Sequence, residues 1–328
     1  MTKNLLLSVP IAIIASFFAG RITIPLLKRI KAGQPILKYV ETHKDKDGTP
    51  TMGGLFFILT AVVVFLLFGG YNFRIATVSV AIGLAFMIVG FLDDFIKVKL
   101  KHNEGLKAYQ KIIFQFAIAI MSGYFAYVNG ITVFHLPFIN TTVNLGVFTV
   151  PIVAIIFIAI TNSVNLTDGL DGLAGSVSVV YLVVLVALIT VQQQALKHIY
   201  LLPEEYTGLK LLSLSLVGAI IGFLIFNVNK AKVFMGDTGS LSLGGFIGAI
   251  SIFSSNSFFI PIIGIMFVAS SISVIVQVLV YKRTKKRVFL MAPLHHHFQM
   301  KGKTETQIAY CYSVITALVG VVSISTYL

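Results

Sequence analysis

The chain has 328 residues, of which 57% are hydrophobic and 11% charged, with a mean hydropathy of +0.93 and a formal net charge of +13. A soluble domain of this length would carry roughly a quarter charged residues, so the composition excludes a water-soluble globule and indicates an all-α polytopic integral membrane protein. The single cysteine, Cys311, falls inside the last apolar run, says nothing about disulfides and reads as an inert packing residue.

Ten membrane spans are predicted, at approximately 4–27, 52–70, 75–92, 110–128, 146–163, 174–192, 208–226, 238–254, 257–281 and 306–327. Each is about as long as a bilayer-crossing helix requires. The first has Lys3 ahead of an apolar stretch, as a signal peptide does. It lacks a good small-x-small cleavage pattern and nine spans follow, so it reads as a retained helix. The third run is short and the eighth is Gly-rich. No soluble domain, low-complexity linker or clear internal repeat interrupts them, so residues 1–328 read as one domain.

Basic residues concentrate in alternate loops, the asymmetry that sets membrane orientation. The loops after the first, third, seventh and ninth spans hold 20 of the 25 Lys and Arg residues. Those loops are therefore cytoplasmic, and both termini are predicted outside. The carboxylates follow the same bias. Only Glu204 and Glu205 fall outside, whereas Asp93, Asp94, Asp168, Asp171 and Asp237 are predicted at or just past helix ends on the cytoplasmic side. One such Asp is ordinarily a solvated helix cap. Five on one face, among Asn and Gly, indicate groups facing an interior cavity.

The three acidic clusters suit phosphate chemistry. Asp93 and Asp94 are neighbours on a predicted helix and point about 100° apart, so one can face a cavity while the other caps or orients. Asp237, in Met235-Gly236-Asp237-Thr238-Gly239-Ser240, opens the eighth span, where small residues admit a ligand to the backbone and a helix N-terminus favours phosphate. Asn162, Asn165, Asp168 and Asp171 recur every three residues, one polar stripe if helical. Gly169 and Gly172 suggest instead an interrupted helix with side chains turned to a cavity. Mg²⁺ is the expected cation, since it takes one or two carboxylates together with phosphates and water. The run His295-His296-His297 lacks the spacing of a zinc site. It reads as donors to a diphosphate.

Thr49-Pro50-Thr51-Met52-Gly53-Gly54, Asp93-Asp94, Asn165 to Gly172, Phe234 to Ser240 and Pro293-Leu294-His295-His296-His297-Phe298 occur in this order. Together they resemble the polyprenyl-phosphate N-acetylhexosamine-1-phosphate transferases, and within them the branch that uses UDP-MurNAc-pentapeptide. Gln299 departs from that pattern, where Glu is expected. The resemblance implies transfer of phospho-MurNAc-pentapeptide from UDP-MurNAc-pentapeptide to undecaprenyl phosphate. UMP is released and lipid I forms in the bacterial cytoplasmic membrane, with the active site on the cytoplasmic side.

It also implies roles. Asp237 resembles the Mg²⁺ ligand, Asp93 the group that deprotonates or positions the lipid phosphate, and Asp94 its supporting neighbour. Phe234 resembles a uracil-stacking residue. Asn162, Asn165, Asp168, Asp171, Asn227, Gln277, Lys46, Thr51, Lys97 and Lys111 match pocket positions. His295, His296 and His297 are expected at the diphosphate or amino sugar, with His296 counted as catalytic. Membrane lipids are expected partners, nucleic acid is not, and a homodimer is left open.

Two rivals are distinguishable. A sister transferase moving GlcNAc-1-phosphate to the same lipid is disfavoured by the Pro-Thr-Met-Gly-Gly and His-His-His-Phe elements. A secondary transporter for an anionic solute would place its polar breaks at mid-membrane on paired halves, whereas here they fall at span ends.

Overall fold

The computed structural model describes residues 2–29, 48–100, 105–139, 141–195, 201–228 and 230–327. Their helices are α1 (Thr2–Arg29), α2 (Gly54–Leu67), α3 (Arg74–Leu100), α4 (Ala108–Val128), α5 (Thr149–Thr167), α6 (Leu173–Ala195), α7 (Pro203–Asn227), α8 (Gly236–Phe253), α9 (Ile260–Ile263), α10 (Ile265–Thr284), α11 (Leu294–Met300) and α12 (Glu305–Ile324). The sheet content is one antiparallel hairpin between α4 and α5, β1 (Val133–His135) with β2 (Thr142–Asn144). Eight of the described helices are long and apolar enough to cross a membrane, and the chain is an all-α multi-pass membrane protein.

Each of the ten predicted spans corresponds to a helix, with three adjustments. The short span is the second, since α2 has 14 residues, whereas α3 has 27. The apolar run in α3 ends at the first charges, but the helix does not. Lys97 and Lys99 are good helix formers, and their charge is favourable in a last turn. Asp93 and Asp94 therefore lie about two turns inside α3 rather than at or beyond its end. The ninth span is divided at Gly264 into α9 and α10, behind Pro261. The tenth begins with a capping box, in which Thr304 Oγ1 accepts from Gln307 N at 3.2 Å.

The centre of the bundle is α8, where every residue from Thr238 to Phe253 is buried. Its Gly and Ser residues allow neighbours to approach the backbone closely. At Gly90 of α3 an added Cβ would collide with the Asp237 carbonyl. That contact seats the inner part of α3 against the first turn of α8. The opposite end of α3 is held by Glu205 of α7, whose carboxylate accepts from Arg74 N at 3.1 Å and Ile75 N at 2.8 Å.

Candidate active site

The acidic site forms where the C-terminal part of α3, the first turn of α4, the end of α5 and the start of α8 meet. Gly236, at φ +71°, turns the chain into α8. Asp237 N and Thr238 N are then left free of intrahelical partners, as the first amides of any helix are. Asp94 supplies the cap from another helix. Its Oδ1 accepts from Asp237 N at 3.2 Å, and its Oδ2 accepts from Thr238 N at 2.9 Å and Thr238 Oγ1 at 2.6 Å.

Its neighbour Asp93 points differently, as consecutive helical residues must. Asp93 Oδ1 accepts from Leu106 N at 2.9 Å, and Oδ2 pairs with Lys97 Nζ at 2.5 Å. Both carboxylates are almost wholly buried, at 3% and 2% exposure for Asp93 and Asp94. Asp237 is the more open, and both of its oxygens are gripped. Oδ2 meets Lys111 Nζ at 2.6 Å and Lys97 Nζ at 3.1 Å, while Oδ1 accepts from Asn165 Nδ2 at 2.6 Å. Asn165 Nδ2 also reaches Ser240 Oγ at 2.8 Å. Asn162, one turn earlier, donates to Gln115 Oε1 of α4 at 2.7 Å.

One oxygen from each of Asp93, Asp94 and Asp237 lies within 4.8 Å of the others. The donor set is all carboxylate, without His or Cys, and suits a hard cation such as Mg²⁺. Three carboxylates face two ammonium groups, so the cluster carries an excess negative charge that a cation would balance. Asp94 already accepts three hydrogen bonds from α8, so Asp93 and Asp237 are the better placed to hold one.

The segment after α5 behaves as an interrupted helix. α5 stops at Thr167 with Asp168 as its C-cap, Gly172 turns at φ +72°, and α6 begins at Leu173. Burial pushes the Asp168 carboxyl up to about 8, and the charges of Asp237, Asp94 and Asp171 add to the rise. Asp171 is committed to backbone, with Oδ2 accepting from Ala231 N at 2.9 Å. Its own N–H donates to Glu305 Oε2 at 2.7 Å. Asn227 likewise ties the loops, accepting from Gly172 N at 3.0 Å and donating to Val233 O at 2.9 Å. Phe234 is half-buried, its N–H and C=O taken by Pro50 and Gly53. Thr51 is buried beside Gly236.

The histidine run lies on α11. His295 is wholly buried, and no hydrogen-bond partner reaches either ring nitrogen. Burial pushes it down to about 3, with the adjacent His296 acting in the same direction. An added Cβ on Gly169 would collide with His295 Nε2 and lie 3.1 Å from His296 Nε2, so both rings close over the Asp168-Gly169 turn. His297 turns away and accepts at Nδ1 from Leu290 N at 3.1 Å. Gln277 also serves this loop, its Oε1 accepting from Val288 N at 3.0 Å and Phe289 N at 2.9 Å.

The structure thus brings together Asp93, Asp94, Asp237, Lys97, Lys111 and Asn165, with Asn162 one turn deeper. It gives Asp171, Asn227, Gln277 and His297 backbone partners, and Lys46 lies outside the described residues. Sequence reasoning passed over Thr238, Ser240 and Gln115 as contributors. Thr238 and Ser240 stood inside a quoted motif. Gln115 had one signal, an amide within an apolar span.

Carboxylates and lysines gathered at one end of a helical membrane bundle form a site suited to a cation and phosphate groups, and comparison with known proteins supplies the class. The protein-family model for glycosyl transferase family 4 matches residues 75–255, which contain Asp93, Asp94, Asp168 and Asp237. A phospho-N-acetylmuramoyl-pentapeptide-transferase signature matches residues 46–58. The chain is 40% identical over 308 residues to the phospho-N-acetylmuramoyl-pentapeptide-transferase of Clostridium botulinum, covering 94% of this chain and 91% of that one. It is 40% identical over 318 residues to that of Clostridioides difficile, covering 96% and 95%. It is 39% identical over 321 residues to one from a Thermoanaerobacter species, covering 97% of each. The chain belongs to the phospho-N-acetylmuramoyl-pentapeptide-transferase family.

Proposed function

We propose that this chain, acting as one catalytic domain, transfers phospho-MurNAc-pentapeptide from UDP-MurNAc-pentapeptide to undecaprenyl phosphate. UMP leaves and lipid I forms. The supporting observation is the convergence of Asp93, Asp237, Lys97 and Lys111 at one end of a membrane bundle. That is where a soluble anionic donor and a lipid phosphate can meet. The charge asymmetry of the loops supports assigning this end to the cytoplasmic side of the bacterial cytoplasmic membrane, with both termini outside. All three carboxylates come from one chain, so a second copy is not needed to complete them.

An oxygen of the lipid phosphate attacks the sugar-bearing phosphorus as the bond to UMP breaks. The second pKa of a phosphate monoester is about 6, so the nucleophile is mostly dianionic and needs placing more than it needs a strong base. Asp93 is assigned to that placing and to any residual proton on the acceptor. Lys97 and Lys111 neutralise charge around the phosphoryl group in a water-poor site, where fixed charges act most strongly. Asp237 and Asp93 would hold Mg²⁺, which supplies Lewis-acid neutralisation of the diphosphate when bound. Asn165 fixes the Asp237 carboxylate, and Asp94 fixes the helix that carries it. The half-buried Phe234 ring is assigned to the uracil face, and His295 and His296 to the diphosphate or the amino sugar beside Asp168.

The test is UMP release from UDP-MurNAc-pentapeptide by purified enzyme with undecaprenyl phosphate and Mg²⁺. Turnover with this donor and none with UDP-GlcNAc is expected. The reverse preference would assign the chain to the sister transferases.

A further inference from the structure

Gln115 has no part in the reaction proposed above, yet its surroundings are unusual for an apolar span. It is wholly buried on α4, and Asn162 Nδ2 of α5 donates to its Oε1 at 2.7 Å. Its own Nε2 lies 3.5 Å from Asn162 Oδ1, completing a reciprocal amide pair between two helices. The second hydrogen on Asn162 Nδ2 goes to Ile158 O at 2.8 Å, which fixes the amide on its own helix.

The pair lies one turn from two of the three groups that grip Asp237, the third being Lys97 of α3. Lys111 is four residues before Gln115 on α4 and meets Asp237 Oδ2 at 2.6 Å. Asn165 is three residues after Asn162 on α5 and meets Asp237 Oδ1 at 2.6 Å. Residues three and four apart share a helix face, so each amide stands directly beneath one of the two grips. Membrane helices are held by close packing at small residues, as at Gly123 of α4 against Val150 of α5, and interhelical hydrogen bonds add a directional constraint on their register. A slip of one residue is about 1.5 Å along the axis, enough to break a 2.7 Å hydrogen bond and a 2.6 Å ion pair together.

We propose that Gln115 is a positioning residue. Through Asn162 it sets the register of α4 against α5, and so holds the Lys111 ammonium and the Asn165 amide on opposite oxygens of Asp237. The geometric part stands whatever the reaction. Only its consequence for cation binding and turnover rests on the function proposed above.

The experiment compares the wild-type chain with Gln115→Met, which keeps length and removes both hydrogen bonds. It includes Gln115→Leu and the exchanged pair Gln115→Asn with Asn162→Gln. In detergent-purified protein the acylation rate of Lys111 by an amine-reactive reagent is followed by peptide mass spectrometry, with Lys210 as internal reference. Mn²⁺ binding is measured by electron paramagnetic resonance. Gln115→Met should raise Lys111 labelling several-fold relative to Lys210 and weaken Mn²⁺ binding roughly tenfold, the lower range for losing an indirect support of a metal ligand. The exchanged pair should recover most of both. If Gln115→Leu does not fold, Gln115→Met and the exchange still decide the matter. Unchanged Lys111 labelling and Mn²⁺ affinity in folded Gln115→Met would overturn the proposal. Changed geometry with no transfer activity in the wild type would instead refute the assigned reaction and leave the positioning intact.

Discussion

The two ends of the bundle bury polar groups in opposite ways. At the end opposite the acidic site, below the β1–β2 hairpin, Asn256 is wholly buried and its amide is satisfied by protein alone. Nδ2 donates to Gln192 Oε1 at 2.6 Å and to Ser254 O at 3.0 Å, and Oδ1 accepts from Tyr327 Oη at 3.0 Å. Gln192 Nε2 closes the group on Ser254 O at 3.2 Å. Every member is uncharged, so nothing in the knot asks for a ligand. At the acidic end three carboxylates stand against two lysines, so their formal charges do not cancel and the cluster can accept a cation. Buried polarity marks a working site when its charge does not close, and a structural one when neutral hydrogen bonds close on themselves.

That contrast can be broken most decisively at Asp237. Asp237→Asn should lower UMP release on the order of 1000-fold, because an amide is a poorer ligand than a carboxylate for the cation that would neutralise the reacting phosphates. Its thermal midpoint in detergent should stay near wild type, since the Asp94 cap contacts backbone at this position. Near-normal turnover at low Mg²⁺ would remove Asp237 from the site. Asp94→Ala should differ in kind. It removes three hydrogen bonds to a buried carboxylate, so a thermal or chaotrope assay should show a loss of about 1.5–3 kcal/mol, with activity falling roughly 100-fold as the Asp237 helix loosens. Full stability in that variant would show the cap to be dispensable.

Phe234→Ala sharpens the comparison within the acidic end. Stacking on a base is worth about 1–3 kcal/mol, so calorimetric affinity for uridine ligands should fall roughly 5- to 150-fold. Turnover at saturation should change little, and equal losses for a fragment lacking uracil would make Phe234 a packing residue. At the far end, Asn256→Ala should cost about 1–3 kcal/mol of stability and leave kcat/KM within about twofold of wild type. A catalytic defect without destabilisation would erase the distinction between the two ends. The smallest effect is expected at His297, whose Nδ1 already accepts from Leu290 N. His297→Ala should leave kcat/KM within roughly threefold of wild type, while His296→Ala should lower it several-fold more.

His295 adds a pH signature. Burial, with His296 beside it, pushes its ring down to about 3 in the fold, from an ordinary value of about 6.5 in the unfolded chain. The unfolded chain therefore takes up a proton first, and stability is lost as pH falls from about 6.5 towards 3. His295→Gln should flatten the stability profile in that window. An unchanged slope would place the acid sensitivity elsewhere.

Much of the acidic site was legible because Asp, Asn and Lys are conspicuous in apolar sequence. The split between Asp93 and Asp94 followed from helical geometry alone. The α5–α6 break was signalled by Gly169 and Gly172. The extent of α3 was not legible, since hydropathy falls at Lys97 while helix formation continues. Nor was the destination of Asn227, Asp171 and Gln277, because a polar residue near a site can serve substrate or backbone equally well until the loops are placed. Register between α4 and α5 depends on one amide pair 47 residues apart, which no local pattern announces.

The cap on α8 has a consequence for how such a site can change over time. Asp94 binds the N–H groups of residues 237 and 238 and the Thr238 hydroxyl, and asks nothing of the side chain at 237. Any residue but proline there preserves the anchoring amide. The scaffold and the reactive carboxylate are therefore separable by single mutation. Position 237 could trade one metal-binding group for another, or lose it, while the helix start keeps its place in the bundle.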